Sequence, residues 1–326
     1  MIPRQLGEFL PTSMLVDKPV YHYTSAEGLL GTISKHSLRA TEAFGLNDVG
    51  ELRHGWAFIR EWLAEQDQTE VLVQTLLQWT PQEGDASVGA GVYLICASTA
   101  SDDASQWRLY ADSGRGYTLE IDPIPALAVG ARLDAYPDKE PPLAGRFGTL
   151  VRDSAIVSPW LSVLYSAEEK RFALSYFLEA AREAYQEMEG EAARTPVEER
   201  PSVYDDFAER VQSDLVTLAQ CMKASAFSGE SEVRAVATLA VNAHAEFRAT
   251  QYGVVRYVNL VAADTSDARP HQVLAVDPGQ QPHPLPILSI GLGPGQVVSN
   301  SRDAALALMG RHGYPEQVTV SDAALR

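Results

Sequence analysis

The stretch Val20-Tyr21-His22-Tyr23-Thr24-Ser25-Ala26-Glu27-Gly28-Leu29-Leu30-Gly31-Thr32-Ile33 sets the expected fold, because a short strand passes directly into a helix. The tyrosines favour a strand over 20–24, and the leucines and isoleucine after it give the helix an apolar stripe. Thr24, with Glu27 three residues later, predicts a capping box at the helix start. The polar residues His22, Tyr23 and Thr24 thus end a strand beside a helix N-terminus, where α/β folds often hold anionic or nucleotide ligands.

The composition bounds the class of protein. The chain has 326 residues, 45% of them hydrophobic, so it can bury a large core in one domain or two. A formal net charge of −17 argues against nucleic acid as a partner of the whole surface, although a local basic groove stays open. Two cysteines, Cys96 and Cys221, support neither a disulfide framework nor a thiolate zinc site, and a reducing cytosol fits them best. Without a secretion signal or an apolar run of ~18 residues, we expect a cytoplasmic protein that does not contact the membrane.

The rest of the chain predicts one α+β domain, 1–326, with a central mixed or antiparallel sheet and flanking helices. Strands are predicted at 38–41, 91–98, 117–122, 254–261, 285–290 and 318–320, and shorter helices at 49–66, 71–79 and 301–311. Two long helices, 167–193 and 203–223, form a hairpin between strand-like segments. We therefore predict that 167–223 is a helical insertion or subdomain.

Two sets of polar residues precede the helical hairpin: one near Asp48 and one at the end of the strand 91–98. Asp48 and Glu51 form a second capping box, and a role in a site is an equally open interpretation. Glu51 and His54 have the Glu-x-x-His spacing that places two metal ligands on one helix face, but one such pair is a weak signal. The buried strand at 91–98 ends in Ser98.

Asp102 and Asp103 open the helix that follows this strand. On one face of that helix lie Trp107 and Tyr110, three residues apart. Core packing and stacking on a ligand are both open interpretations for these two aromatic residues.

Strand-like alternation resumes over 226–239, directly after the hairpin. It places Glu230, Glu232 and Arg234 on one strand face. These residues either form a solvated face with an ion pair of little energy or project into a pocket. In the pocket, Arg234 holds one carboxylate by a charge-assisted hydrogen bond.

Over nearly its whole length the sequence resembles a widespread bacterial family classed as a domain of unknown function. The order of the motifs carries this resemblance. The matching marks are His22-Tyr23-Thr24, Leu46-Asn47-Asp48 with Glu51, Asp103 through Trp107 and Tyr110 to Gly116, Glu230 through Arg234, and Ile290 through Pro294.

A more distant resemblance, to NAD-dependent ADP-ribosyltransferases, concerns the chemistry. It implies that the motif of His22, Tyr23 and Thr24 contacts NAD as a co-substrate. It further implies that Ser98 orients the catalytic carboxylate, that Tyr110 stacks on nicotinamide, that Glu232 is catalytic and that Glu230 faces the acceptor. Asn47, Asp48, Glu51, Trp107 and Arg234 are then supporting residues.

The expected function is transfer of ADP-ribose from NAD to an unknown acceptor, either a macromolecule or a small molecule. A carboxylate beside the ribose stabilises an oxocarbenium-like transition state, so no metal is needed. One alternative is a noncatalytic nucleotide- or partner-sensing module of a bacterial defence or toxin system. Another is a metal-dependent hydrolase or nuclease built on Asp48, Glu51, His54, Glu230 and Glu232. The acidic charge counts against a nuclease, which must attract phosphates.

Overall fold

The computed structural model of the chain describes residues 7–45, 49–82, 91–132, 155–239, 245–250, 253–263, 274–276 and 282–324. Within these ranges there are thirteen strands and seven α-helices. The strands are β1 Val20–Thr24, β2 Leu38–Glu42, β3 Val92–Ser98, β4 Tyr117–Ile121, β5 Leu127–Arg132, β6 Ala155–Val157, β7 Leu161–Ser162, β8 Glu232–Leu239, β9 Glu246–Thr250, β10 Gly253–Ala262, β11 Leu274–Val276, β12 Ile287–Leu292 and β13 Val318–Val320. The helices are α1 Ala26–Lys35, α2 Val49–Ala64, α3 Val71–Trp79, α4 Ala104–Tyr110, α5 Ala167–Arg194, α6 Arg200–Gln220 and α7 Val298–Arg311.

All thirteen strands belong to one mixed sheet, which is mostly antiparallel. Only β5 with β11 and β12 with β13 pair in parallel among these strands. The predicted α+β class with a mixed or antiparallel sheet is therefore confirmed. Among the described residues, no helix is long and apolar enough to cross a membrane.

The sheet divides at β3. β8 pairs with β3 from Val92 to Ser98 and so occupies one edge of β3 along its whole length. A strand has only two edges, so β1 and β2 share the other one. β2 pairs there at Tyr93 and Leu94, and β1 pairs at Ser98. From this division, β1 continues into β4, β12 and β13, whereas β2 continues into β10, β5 and β11.

Two apolar cores cover the two faces of β3 and β8. On one face, Leu94 and Val236 pack in a cluster with residues of α2, α3, α5 and α6. On the other, Ile95 and Ala235 pack in a cluster that includes residues of α1 and α7. Strict alternation along β3 and β8 sends successive side chains to opposite cores. The two hairpin helices α5 and α6 therefore lie over the sheet and share a core with it.

Two local predictions are wrong in detail. The N-cap of α1 is Ser25 rather than Thr24, and its hydroxyl accepts a hydrogen bond from the Gly28 amide at 3.2 Å. The strand predicted from residue 226 begins at Glu232, because residues Ser225–Glu230 form a 3-10 helix. Ser231 then takes a left-handed backbone conformation, with φ of 46°, and reverses the chain into β8. Glu230 and Glu232 therefore do not lie on one strand face.

Candidate functional site

A polar cluster lies where β3 ends and β8 begins. In this antiparallel pair Ser98 is opposite Glu232, and Cys96 is opposite Arg234. Side chains of directly opposed residues project from the same face of a sheet, so these four share a face. The apolar residues Leu94 and Val236 continue that face into the core. The polar cluster thus begins at the edge of the apolar core.

Glu232 is buried and held by two cations. Its carboxylate forms a bidentate pair with Arg234, with Nε–Oε1 and Nη2–Oε2 distances of 2.8 and 2.9 Å. Lys223 Nζ donates to Oε2 at 3.2 Å, and only 10% of the Glu232 side chain is exposed. Burial opposes ionisation, but Arg234 and Lys223 outweigh it and lower the pKa of Glu232 to about 2. Glu232 is therefore an anion at every physiological pH.

Lys223 joins the two carboxylates that the sequence singled out. Its Nζ donates to Glu230 Oε2 at 2.5 Å as well as to Glu232, and its side chain is 4% exposed. The ammonium also lies 4.8 Å from the ring centroid of Phe227. The sequence analysis did not identify Lys223. One signal was present, because it is the only basic residue between Arg210 and Arg234.

Backbone contacts fix the turn that carries the carboxylates. The Ser98 hydroxyl donates to the Glu230 carbonyl at 2.8 Å, and Gln106 Nε2 donates to the same oxygen at 3.4 Å. The Tyr165 hydroxyl accepts from the Glu232 amide at 2.9 Å. Ser98 therefore positions the turn through its backbone, since the hydroxyl contacts the carbonyl oxygens of Glu230 and Ser231.

Two phenols adjoin the cluster. Burial, assisted by the charge of Glu230, raises the pKa of Tyr110 to about 12. Burial also raises the pKa of Tyr165 to about 12. Both phenols are therefore neutral. Tyr110 is 43% exposed, so part of its ring faces solvent beside two largely buried carboxylates.

The other two predicted aromatic residues are parts of a small core. Trp107 is 1% exposed, donates from Nε1 to Asp102 at 2.6 Å and packs edge-on against Tyr23 at 4.9 Å between ring centroids. The Tyr23 hydroxyl donates to the Ala100 carbonyl and accepts from the Asp103 amide. The structure thus favours the packing interpretation of Trp107. Tyr23 joins β1 to the start of α4.

His22 lies in the opening between β1 and β2. Its Nδ1 is 2.8 Å from the carbonyl oxygen of Cys96, a group on the edge of β3 that β1 and β2 share. A carbonyl only accepts, so Nδ1 carries the proton and Nε2 carries a lone pair. Burial lowers the pKa of His22, which keeps the ring neutral. Because Tyr21 is opposite Ser98, alternation along β1 directs His22 away from the Glu232 face, and the bond to the Cys96 carbonyl holds its ring at the edge of β3.

Several predicted residues are not part of this cluster. Thr24 pairs with Tyr117 at the end of β1. Asn47 and Asp48, and the side chain of Glu51, lie outside the described residues. His54 Nε2 lies 2.8 Å from Lys170 Nζ, and within the described ranges no three His, Cys, Asp or Glu side chains are grouped to hold a metal. The metal-dependent alternative thus stays a prediction from the sequence.

No family model matches the sequence, no curated protein matches it, and no solved structure matches the chain. The resemblances to the bacterial family and to ADP-ribosyltransferases therefore stay predictions.

Proposed function

We propose that the chain is an NAD-consuming enzyme of the ADP-ribosyltransferase type, with Glu232 as the carboxylate that stabilises the reacting ribose. The observation that carries this proposal is the ionised carboxylate of Glu232, which Arg234 and Lys223 orient beside the half-exposed ring of Tyr110. An ionised carboxylate with a depressed pKa is suited to stabilising a cation and unsuited to donating a proton.

The proposed reaction breaks the bond between C1′ of the ribose and the nicotinamide nitrogen. The bonding electrons leave with nicotinamide, and the positive charge spreads over C1′ and the ring oxygen as in glycoside hydrolysis. Glu232 stabilises that charge electrostatically. The acceptor then forms a new bond to C1′ and loses its proton to Glu230, which is more exposed than Glu232, at 17% of its side chain.

The neighbouring groups have matching roles in this proposal. The neutral ring of Tyr110 offers a face on which nicotinamide stacks. Nε2 of His22 accepts a hydrogen bond, and a ribose hydroxyl supplies the donor. Ser98 acts as a positioning residue, because it holds the turn of Glu230 and not the ligand. An ADP-ribosyltransferase-like fold is part of the same proposal, because the pairing of β3 with β8 places Ser98 opposite Glu232, the two residues that the resemblance relates to each other.

Nicotinamide release from NAD tests the proposal. The purified chain is incubated with NAD, with and without a cell extract as the source of acceptor, and nicotinamide is quantified chromatographically. Replacing Glu232 with glutamine should abolish release while NAD binding, measured by calorimetry, changes little. This result is expected because the lost interaction is made mainly in the transition state. Glu65→Gln removes a carboxylate from an exposed pair with Arg171 and should leave the rate unchanged.

Two results contradict the proposal. If NAD binds to the wild-type chain but no nicotinamide appears with any extract, the noncatalytic sensing module is the better description. If NAD does not bind at all, the NAD-consuming enzyme is refuted.

A further inference from the structure

A second polar cluster lies on the part of the sheet that leads away from β3 through β2. Arg248 on β9 reaches across β10, and its Nη2 donates to the Thr41 hydroxyl on β2 at 2.8 Å. The guanidinium of Arg39, also on β2, lies 5.5 Å from the ring centroid of Tyr257 on β10. The register pairs Thr41 with Tyr257, so these side chains share one face. We call this group the β2–β9–β10 cluster.

The two guanidiniums are close enough to repel each other. The charge of Arg39, added to burial as the larger effect, lowers the pKa of Arg248. Among the described residues, neither arginine forms a salt bridge. Among the described residues, the carboxylate of this cluster is Glu246, and its two oxygens accept from neutral donors, Tyr257 at 2.6 Å and Asn259 at 2.7 Å. The cluster therefore holds two positive charges and one carboxylate that forms a salt bridge with neither of them.

Two further observations favour a binding site for an anion in this cluster. Arg248 Nε is buried and has no hydrogen-bond partner among the described residues, which costs free energy in a folded protein. A side chain at Gly31 of α1 would place its Cβ only 3.2 Å from Arg39 Nη2, so glycine leaves room for that guanidinium. An anion that accepts from both arginines would remove the repulsion and satisfy the buried donor.

We propose that Arg39 and Arg248 form a binding site for the phosphate group of a small-molecule ligand. Guanidinium groups bind phosphate through paired charge-assisted hydrogen bonds, and two of them match the double negative charge of a phosphate dianion. On a chain with a net charge of −17, attraction of such an anion has to be local. The site is separate from the Glu232 cluster, since Leu94, which pairs with Thr41, is four residues and about 13 Å along β3 from Ser98.

Calorimetric titration in a phosphate-free buffer tests this site. Inorganic phosphate, pyrophosphate and AMP are titrated in turn, so that a free anion is distinguished from the phosphate of a nucleotide, and malonate serves as a carboxylate probe. We expect binding of at least one phosphate compound, and an affinity about tenfold to 100-fold lower in Arg39→Gln and in Arg248→Met. Arg171→Gln, which removes an exposed arginine from another part of the molecule, should bind as the wild type does.

Thermal unfolding without ligand supplies an independent readout. If the arginines serve a ligand, Arg39→Gln should unfold at the same or a higher temperature than the wild type, because the repulsion is gone. The proposal is overturned if no phosphate compound binds, if malonate binds equally well, or if both variants unfold at lower temperature and keep full phosphate affinity. Phosphate affinity is measured without NAD, and Arg39→Gln and Arg248→Met leave the Glu232 cluster unchanged, so failure of the NAD proposal and failure of this one are distinguishable.

Discussion

Replacing Glu232 with glutamine should destabilise the fold by an amount that depends on pH. The pKa of this carboxyl falls from an ordinary 4.5 to about 2 in the folded chain. A depression of this size corresponds to about 3 kcal/mol of folding free energy above pH 4.5, and this contribution is lost as pH falls from 4.5 to 2. The glutamine variant lacks it at every pH. It also leaves the buried cations Arg234 and Lys223 without their shared anion, so the total cost at pH 7 should be about 3 to 5 kcal/mol.

Urea unfolding of the wild type and of Glu232→Gln, at pH 7 and at pH 3.5, measures this effect. The difference between the two free energies of unfolding should be smaller at pH 3.5 by about 1.4 kcal/mol, because the unfolded wild type then binds a proton that the folded one does not. The variant Glu65→Gln should show no comparable change, since that carboxylate lies in an exposed pair. A difference that is constant across this range would refute the reasoning that Glu232 is held ionised by its two cations.

Two further predictions concern the surroundings of the site. Replacing Ser231 with glycine should raise the free energy of unfolding by about 0.5 to 1 kcal/mol, because φ of 46° is unfavourable for residues with a Cβ. Urea unfolding measures this change. The control variant Ser228→Gly, at a position where φ is not positive, should not stabilise the protein. Cys221, which is fully buried and whose pKa burial raises to about 12, should resist a thiol reagent until the chain unfolds. In a Cys96→Ala background all labelling reports Cys221, and rapid labelling of the folded variant would contradict its burial.

Elements with a clear period were predictable from the sequence. The helix at 71–79 and the strand at 91–98 follow the expected bounds to within a residue, because unbroken periodicity or an apolar run leaves few alternatives. The turn before β8 was not predictable, because the alternation of residue types over 226–239 is the same whether a 3-10 helix or a strand precedes Glu232. One left-handed residue, Ser231, decides between them, and serine gives no signal for that conformation.

The candidate site was predictable in its residue types more than in its contacts. The interpretation of Glu232 and Arg234 as a solvated strand face is wrong, because both side chains are nearly buried. Lys223, which completes the network, follows α6 and stands nine residues before Glu232 in the sequence. Its role depends on how the 3-10 helix folds back over it, which only tertiary structure decides. The two arginines of the β2–β9–β10 cluster were equally hidden, because 209 residues separate them along the chain.

Stability alone gives a weak reason for burying two carboxylates and two cations together at the end of β8. Each charge loses its hydration there, and well-packed apolar residues of similar size often stabilise a protein as much or more. The network also does not continue into the core, since Leu94 and Val236 are apolar and the charges stop at the strand ends. A half-exposed Tyr110 stands beside them, where packing would favour a buried ring. Fixed charge, a neutral phenol and access from solvent occur together at this one place, and their combination is typical of a site that binds or transforms a ligand.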